Sequence, residues 1–382
     1  MSARSGHSQS VELVVTFSQQ LGTFGIGGGI QCDLSGLCGA WSQREHCADA
    51  SGTVVCLPSQ VFLVVIQRRF FVMVSLRILR DLILGVACVV ASSMTALAFQ
   101  SADSTAAPLR IICFGAHPDD AEYKSGGTAA LWAAAGHKVK MVSVTNGDIG
   151  HWNMAGGPLA QRRTKESTEV AKRLGFEYEV LDIHDGELEP TLENRRLITR
   201  LIRRWNADIV IAHRPWDYHP DHRYVGVLVQ DAAYMVAVPF FCPDTPPLQK
   251  NPVFLYSSDR FQKPYPFKAD IAVAVDAVFE KKVDALMALE SQTFEGGALG
   301  SEETMAAAPP ASQPELRRAW LRERWERRQS AEARDYRPTL LKWYGETAGN
   351  AVKYAEVFEI CEYGRQPTAD EIRRMFPFFP AQ

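Results

Sequence analysis

The sequence lacks an excess of charge of either sign. Its 382 residues include 41 Lys and Arg and 44 Asp and Glu, so the formal net charge is −3. Proteins that bind nucleic acid through its phosphates usually carry a clear basic excess. We therefore expect no nucleic-acid partner.

Cysteine is scarce in the larger, C-terminal part of the chain. Only Cys113, Cys242 and Cys361 lie beyond residue 98, and they are far apart. An odd number of widely spaced cysteines does not make a disulfide framework. A free thiol in an apolar run, as at Cys113, behaves as a small hydrophobic side chain. This part of the chain is therefore expected to depend on an ordinary hydrophobic core.

The first hundred residues lack the sustained periodicity that follows them. Residues 1–72 contain Gly-rich and Ser-rich pieces such as GTFGIGGGI, and their four cysteines form no C-x-x-C pair. We interpret this segment as a disordered or mis-assigned extension upstream of a true start at Met73. A small disulfide or zinc module is the alternative.

Residues 73–98 have the layout of a secretory signal peptide. Two arginines precede an apolar stretch at 82–90, which is short for a membrane span, and residues 96–98 offer an A-x-A cleavage site. We expect an exported protein, periplasmic or extracellular, that begins at Phe99. An uncleaved membrane anchor and a lipid on Cys88 are the alternatives, and no other membrane contact is expected.

From residue 109 onward, short apolar runs alternate with helical stretches. Runs such as LRIICFGA and ADIVIAH are typical of buried strands. Strands separated by helices of about ten to fifteen residues indicate βαβ units. The predicted fold over 99–295 is α/β, a Rossmann-like, open, mostly parallel sheet with helices on both faces. Residues 296–382 are predicted as a less regular extension packing on the same domain, with a mobile loop at 293–313 and a charged, solvated helix after it.

Two similar motifs follow apolar runs of the predicted sheet. IICFGAHPDDAE (111–122) and IVIAHRPWDYHPDH (209–222) both place His-Pro-Asp where the run ends. Because ligands bind at the carboxyl ends of parallel strands, we expect both motifs at one site. His117 and Asp120, with His219 or His222, offer two imidazoles and one carboxylate. That donor set suits Zn²⁺ with an open coordination position, as catalytic zinc sites have.

The neighbouring residues suit hydrolysis at such an ion. A metal ion lowers the pKa of water, and hydrolysis also needs a base and a group that stabilises the oxyanion. Asp119 adjoins a ligand without having to bind the ion, so it is the natural base. The second-motif histidine that does not bind the ion could protonate the leaving group or hold the oxyanion. Asp221 could orient a ligand histidine through its ring N–H.

Taken together, four motifs resemble a known family. HPDDAE with the following Gly126-Gly127, TNGDIG at 145–150, R-x-x-E at 163–166 and HPDH at 219–222 look like the PIG-L/LmbE-like deacetylases, in the family's order over about 109–295. Such enzymes are metal-dependent, usually zinc, N-deacetylases of N-acetylglucosaminyl conjugates. The resemblance implies a zinc-dependent hydrolase, with Fe²⁺ also possible, that acts on a small glycoconjugate.

The resemblance also implies roles for particular residues. It implies that the metal ligands are His117, Asp120 and His222. It further implies Asp119 as the general base and His219 as the group that stabilises the oxyanion or protonates the amine.

Other residues are predicted to support the site. By the same resemblance, Glu122 lies near the site, and Arg163 either contacts substrate or forms a helix-surface salt bridge with Glu166. Trp152 follows the TNGDIG turn and could stack on a sugar or simply pack, as could Trp216 and Tyr218 beside the second motif.

Three other hypotheses stay open on the sequence alone. Two histidines and a carboxylate also form the facial triad of non-haem Fe(II) oxygenases. The chain could instead hydrolyse another small amide, or bind a metal without catalysis. The presence of both Asp119 and a spare histidine favours hydrolysis, because a protein that only binds needs neither.

Overall fold

The computed structural model describes residues 107–380. The predicted extension at 1–72, the signal peptide at 73–98 and the start at Phe99 lie outside the described residues, so export stays a prediction. Within 107–380, none of the helices combines the length and the apolar character that a membrane span requires.

A seven-stranded sheet forms the centre of the described region. Its strands are β1 (Arg110–Gly115), β2 (Lys138–Ser143), β3 (Glu177–Val180), β4 (Ile209–Ala212), β5 (Val253–Ser257), β6 (Ile271–Ala274) and β7 (Ala355–Gly364). The order is β3-β2-β1-β4-β5-β7-β6, with β1 to β5 parallel and β7 antiparallel to both of its neighbours. The first five strands follow the Rossmann order. The prediction of an α/β, mostly parallel sheet is confirmed.

Eleven α-helices of the described region surround the sheet. They are α1 (Asp120–Ala134), α2 (Gly157–Leu174), α3 (Leu192–Trp205), α4 (Pro220–Met235), α5 (Phe279–Leu286), α6 (Glu290–Thr293), α7 (Glu302–Ala307), α8 (Pro314–Asp335), α9 (Arg337–Tyr344), α10 (Glu346–Ala351) and α11 (Ala369–Met375).

Helices cover both faces of the sheet, as the side chains of β1 show by pointing alternately into a core on each face. Ile111 and Cys113 point into a core shared with α1, α2 and α5. Ile112 and Phe114 point the other way, into a core shared with α3 and α4. A strand buried on both faces reads as a continuous apolar run, which is the pattern seen in the sequence.

The C-terminal part of the chain supplies a strand of the same sheet. β7 lies between β5 and β6, so residues beyond 295 complete the central layer. Glu356 of β7 is buried, and its carboxylate accepts bonds from the backbone N–H groups of Gly127 (2.8 Å) and Thr128 (2.7 Å) and from Lys282 Nζ (2.8 Å). These bonds tie β7 to α1, the helix that follows the first motif.

Two expectations for the C-terminal region differ from the structure. The predicted loop at 293–313 contains a 3₁₀ turn (Gly297–Leu299) and helix α7, which begins where the Ser301 hydroxyl accepts a bond from Thr304 N–H. The charged helix α8 is not simply a solvated face. Leu321 and Trp325 bury one side of it in the core, and other side chains line a cleft described below.

Candidate active site

The two His-Pro-Asp motifs lie side by side at one edge of the sheet. β1 and β4 are adjacent and parallel, with Ile111 paired with Ile209, so the loops that leave their carboxyl ends are neighbours. From β1 the chain continues to β2 on one side, and from β4 it continues to β5 on the other side. Open α/β sheets bind ligands at the point where the strand order reverses in this way. Helix α4 approaches this edge closely at Gly226, where a Cβ would come within 2.8 Å of the His213 carbonyl oxygen.

Three side-chain atoms at this edge form a nearly equilateral triangle. His117 Nδ1 lies 3.2 Å from His222 Nε2, and Asp120 Oδ2 lies 3.3 Å from each of these nitrogens. In a tetrahedral zinc site with bonds of about 2.0 to 2.1 Å, neighbouring ligand atoms are about 3.3 to 3.4 Å apart. The three residues that the family resemblance implied therefore fit one metal ion.

The backbone around β1 fixes the carboxylate of Asp120. Its Oδ2 accepts bonds from the N–H groups of Ala116 (3.0 Å) and His117 (2.8 Å). A Cβ at Gly115 would lie 2.9 Å from Asp120 Cβ, so glycine lets the chain turn back here. Burial alone would raise the pKa of Asp120, but His222 and its neighbour His213 hold it well below its usual value. The carboxylate is thus ionised, as a metal ligand must be.

Three further carboxylates orient the two ligand histidines. Asp217 Oδ1 lies 3.1 Å from His222 Nδ1, and Asp185 Oδ1 and Asp221 Oδ2 lie 3.0 and 3.2 Å from His117 Nε2. Each carboxylate contacts the ring nitrogen that points away from the triangle. A bond there keeps the proton on that nitrogen and leaves the other free for a metal.

Asp221 lies where its predicted orienting role requires, whereas sequence reasoning did not single out Asp185 and Asp217. Asp217 is two residues before the HPDH motif and Asp185 follows β3, at the same edge of the sheet. The TNGDIG turn holds Asp185 in place, because Asp148 Oδ1 accepts a bond from Asp185 N–H (3.1 Å). The position of Asp185 in the loop after a strand was the signal in the sequence that could have identified it.

Asp119 is paired with a buried arginine. Arg163 Nη2 lies 3.2 Å from Asp119 Oδ1, and Arg163 Nη1 donates to Gly147 O at 3.2 Å. Glu166, the partner considered from the sequence, instead binds Arg162 (3.1 Å) and the Ser291 hydroxyl (2.6 Å). Burial raises the pKa of Asp119 more than the charge of Arg163 lowers it. The net rise brings the pKa of the carboxylate closer to the range of a general base.

His219 lies edge-on against a ligand histidine. Its ring centroid is 4.5 Å from that of His117, and its Nδ1 accepts the backbone N–H of Asp221 (3.2 Å) at the start of α4. Burial and the neighbouring imidazoles lower the pKa of His219, so the ring is neutral. Because Nδ1 accepts, the proton of the neutral ring is assigned to Nε2, which can then donate a hydrogen bond.

A cleft of about 720 Å³ opens beside these groups. Asp119, Asp120 and His222 lie on its lining, and helix α8 contributes another wall. Tyr218 is 73% exposed at this cleft, with its ring centroid 5.5 Å from that of His222. Clefts of this size hold small-molecule ligands.

Comparisons with known proteins identify the family. The family model described as PIG-L, GlcNAc-PI de-N-acetylase, matches residues 112–233. The diacetylchitobiose deacetylase of Thermococcus kodakarensis is 31% identical over 189 residues, which cover 48% of this chain and 70% of that protein. This chain belongs to the PIG-L family.

Two other similarities are more distant. The 4-oxalmesaconate hydratase of Pseudomonas putida is 23% identical over 185 residues, which cover 46% of this chain and 71% of that protein. The crystal structure of the 4-carboxy-2-hydroxymuconate hydratase of Pseudomonas putida has a TM-score of 0.50 at 19% identity and covers 68% of this chain and 98% of that one. The structural likeness shows a shared fold.

Two further residues of this PIG-L-family chain that belong to the loops and helices around the triangle are buried. His213, which sequence reasoning missed, stacks on His222 with ring centroids 4.2 Å apart, and burial lowers its pKa. Glu122 is buried and accepts the Tyr178 hydroxyl at 2.9 Å, and burial raises its pKa to about 8. Neither side chain lines the cleft, so Glu122 is placed for support rather than for contact with a substrate.

Trp152 lies away from the cleft lining. Its backbone N–H donates to Gly297 O at 2.9 Å, and its ring is stacked on His151 with centroids 5.9 Å apart. This placement favours packing over sugar stacking. Trp216 packs on Tyr265 and does not line the cleft either, so Tyr218 is the best placed of the three aromatic side chains for contact with a sugar.

Proposed function

We propose that this protein is a metal-dependent N-deacetylase that hydrolyses the acetamide of an N-acetylated amino sugar, with Zn²⁺ as the ion. The observation that carries the proposal is the triangle of His117, Asp120 and His222, which lies beside Asp119 and His219 next to an open cleft. Membership of the PIG-L family and the likeness to a diacetylchitobiose deacetylase support the choice of reaction.

The three triangle residues would hold the ion. Two imidazole nitrogens and one carboxylate oxygen suit Zn²⁺, and the same set also accepts Fe²⁺. When bound, such an ion supplies Lewis-acid polarisation of the acetamide carbonyl and lowers the pKa of water.

The residues of the chain would then carry the proton transfers. Asp119 accepts a proton from the water that attacks the acetamide carbon, while Arg163 holds the carboxylate in place. His219, neutral and with its proton on Nε2, donates to the oxyanion that forms at the carbonyl oxygen. When the C–N bond breaks, the proton held by Asp119 is available for the leaving amine, so acetate and a free amine result.

The presence of Asp119 and His219 beside the triangle favours hydrolysis over the other reactions considered from the sequence. An oxygenase needs neither a base at Asp119 nor a hydrogen-bond donor at His219, and a protein that only binds metal has no use for either. Because one relative of this chain is a hydratase, addition of water to a carbon–carbon double bond is the alternative to test.

A mass-spectrometric assay of the full-length protein tests the proposal. N-acetylglucosamine, diacetylchitobiose and an unsaturated dicarboxylic acid would be incubated separately with the enzyme purified without chelator. Loss of one acetyl group from an amino sugar supports the proposal. Gain of one water by the unsaturated acid alone, or gain of oxygen by any compound, would replace it with a hydratase or an oxygenase.

A further inference from the structure

One wall of the cleft carries several basic side chains. Arg324, Arg327 and Arg328 of α8 line it, together with Lys124 and Arg260. Arg324 and Arg328 are four residues apart and therefore lie on the same side of the helix. The proposed reaction gives none of these side chains a role.

The carboxylates that line the same cleft already have partners. Apart from the ligand Asp120, the pairs are Asp119 with Arg163 (3.2 Å), Asp217 with His222 (3.1 Å), Asp259 with Arg214 (2.6 Å), Glu332 with the Ser258 hydroxyl (3.0 Å) and Asp335 with Arg334 (3.0 Å). Burial raises the pKa of Glu332 more than the nearby charges of Arg328 and Lys124 lower it, which reduces the negative charge that Glu332 can offer to the arginines.

Three arginines of the cleft have no such partner. Among residues 107–380, no carboxylate oxygen lies within 4.0 Å of a guanidinium nitrogen of Arg260, Arg324 or Arg328. Two of them lie over aromatic rings instead. The guanidinium carbon of Arg324 is 4.2 Å from the ring centroid of Trp320, and that of Arg328 is 4.9 Å from the ring centroid of Trp325. An arginine stacked on a ring keeps the N–H groups at its edge free for a ligand.

Arg327 provides an internal contrast. It lines the same cleft from the same helix, but it forms an ion pair with Glu323 one turn away, and both side chains are exposed. Arg327 therefore has an ion-pair partner of its own, whereas Arg324 and Arg328 have none within 4.0 Å in the described part of the chain.

We infer that Arg324 and Arg328, with Arg260, bind an anionic group of the substrate, so that the substrate is an N-acetylated amino sugar carrying a carboxylate or a phosphate. The inference rests on the proposed function, because it takes the acetamide to lie at His117, Asp120 and His222. A neutral sugar would leave the N–H groups of these arginines without a charged partner. Bidentate bonds from guanidinium groups suit both kinds of anion.

The test compares three acetamido sugars on the full-length protein. N-acetylglucosamine is neutral, N-acetylmuramic acid adds a carboxylate, and N-acetylglucosamine 6-phosphate adds a phosphate. Acetate release gives kcat/KM, and titration calorimetry gives binding in the same samples. The wild type, Arg328→Gln, Arg324→Gln and the matched control Arg327→Gln would be compared at low and high salt.

We expect at least one anionic sugar to be preferred over the neutral one by about tenfold or more, since hydrogen bonds between charged groups are the stronger ones. Which of the two is preferred distinguishes a carboxylate from a phosphate. Arg328→Gln and Arg324→Gln should reduce that preference, Arg327→Gln should retain it, and high salt should weaken it. Equal turnover and binding of charged and neutral sugars, or an equal loss for both in the variants, would overturn the inference.

Failure of the proposed function has a different signature. Acetate would then be released from none of the sugars, and calorimetry alone would decide the inference. Tighter binding of an anionic sugar that is weakened by Arg328→Gln would support the anion site without the reaction. Absence of any such preference would overturn both.

Discussion

The guanidinium of Arg163 lies 3.2 Å from the carboxylate of Asp119, and the arginine side chain is only 2% exposed. The same guanidinium reaches Gly147 O, so one planar group fixes the carboxylate relative to the TNGDIG turn. A lysine cannot form this pair of directed bonds. In this account Arg163 is a positioning residue that acts through Asp119.

Arg163→Lys should therefore lower kcat while leaving KM and the metal content nearly unchanged. A fall of about tenfold to a hundredfold is expected, part of the 10²–10⁴ that a general base contributes. The pH profile of kcat should also move, because the cation next to Asp119 changes position. Arg162→Lys is the matched control, since its partners are Glu166 and Glu295. An unchanged kcat in Arg163→Lys would show that the pair does not matter for turnover.

Asp119→Asn should retain the metal and lose most of the turnover. The amide has nearly the same shape but cannot accept the proton, so a fall of about 10²–10⁴ in kcat is expected. His222→Ala should instead lose the metal, because it removes one corner of the triangle. Metal analysis and turnover on both variants separate the two roles, and full activity in Asp119→Asn would remove this residue as the base.

Asp217→Asn should weaken metal binding rather than abolish it. Asp217 lies 3.1 Å from the ring nitrogen of His222 that points away from the triangle. Loss of such a partner usually costs about 10-fold to 100-fold in metal affinity. Competition with a chelator measures the affinity. Asp231 lies on the same helix as His222, and Asp231→Asn, which breaks a half-buried pair with Arg195 of α3, should bind metal like the wild type.

The buried pair of Lys282 and Glu356 should dominate the stability of the join between β7 and α1. Both side chains are 1% exposed, and Lys282 Nζ lies 2.8 Å from Glu356 Oε1. Lys282→Met leaves the carboxylate without its cation, which should lower the free energy of unfolding by about 3–5 kcal/mol. Urea denaturation measures this loss.

The double variant Lys282→Met with Glu356→Gln is the matched comparison. The two N–H groups of Gly127 and Thr128 bind different oxygens of Glu356, so the amide oxygen can accept only one of them, but no buried charge remains. It should be more stable than Lys282→Met alone. If the double variant were less stable by the full sum of the two single losses, the two side chains would not be coupled.

The sequence predicts the centre of the site better than its surroundings. His117 and Asp120 are encoded locally, because one tight turn after β1 places both at the sheet edge. Parallel pairing of β1 with β4 then brings the second motif to the same edge. The family resemblance was needed to choose His222 over His219, since spacing alone leaves both possible.

Residues that act across the sheet edge were harder to find. Asp185 meets His117 only because β3 ends at the same edge two strands away, and His213 meets His222 only through ring stacking. Sequence spacing carries no such information. The same holds for β7, whose antiparallel insertion between β5 and β6 depends on long-range pairing. The arginines of α8 were predicted to be solvated, because a helix rich in charge does not show which of its charges face a cleft.

Removal and restoration of the metal shows whether hydrolysis depends on an ion held by His117, Asp120 and His222. The full-length protein purified without chelator would be divided into untreated, chelator-treated and zinc-restored samples, and bound metal and acetate released from an acetamido sugar would be measured in each. We expect about one ion per triangle in the untreated sample, loss of both metal and acetate release on chelation, and recovery of both with zinc. Undiminished acetate release from metal-free protein would contradict it, as would a protein that binds no metal at all.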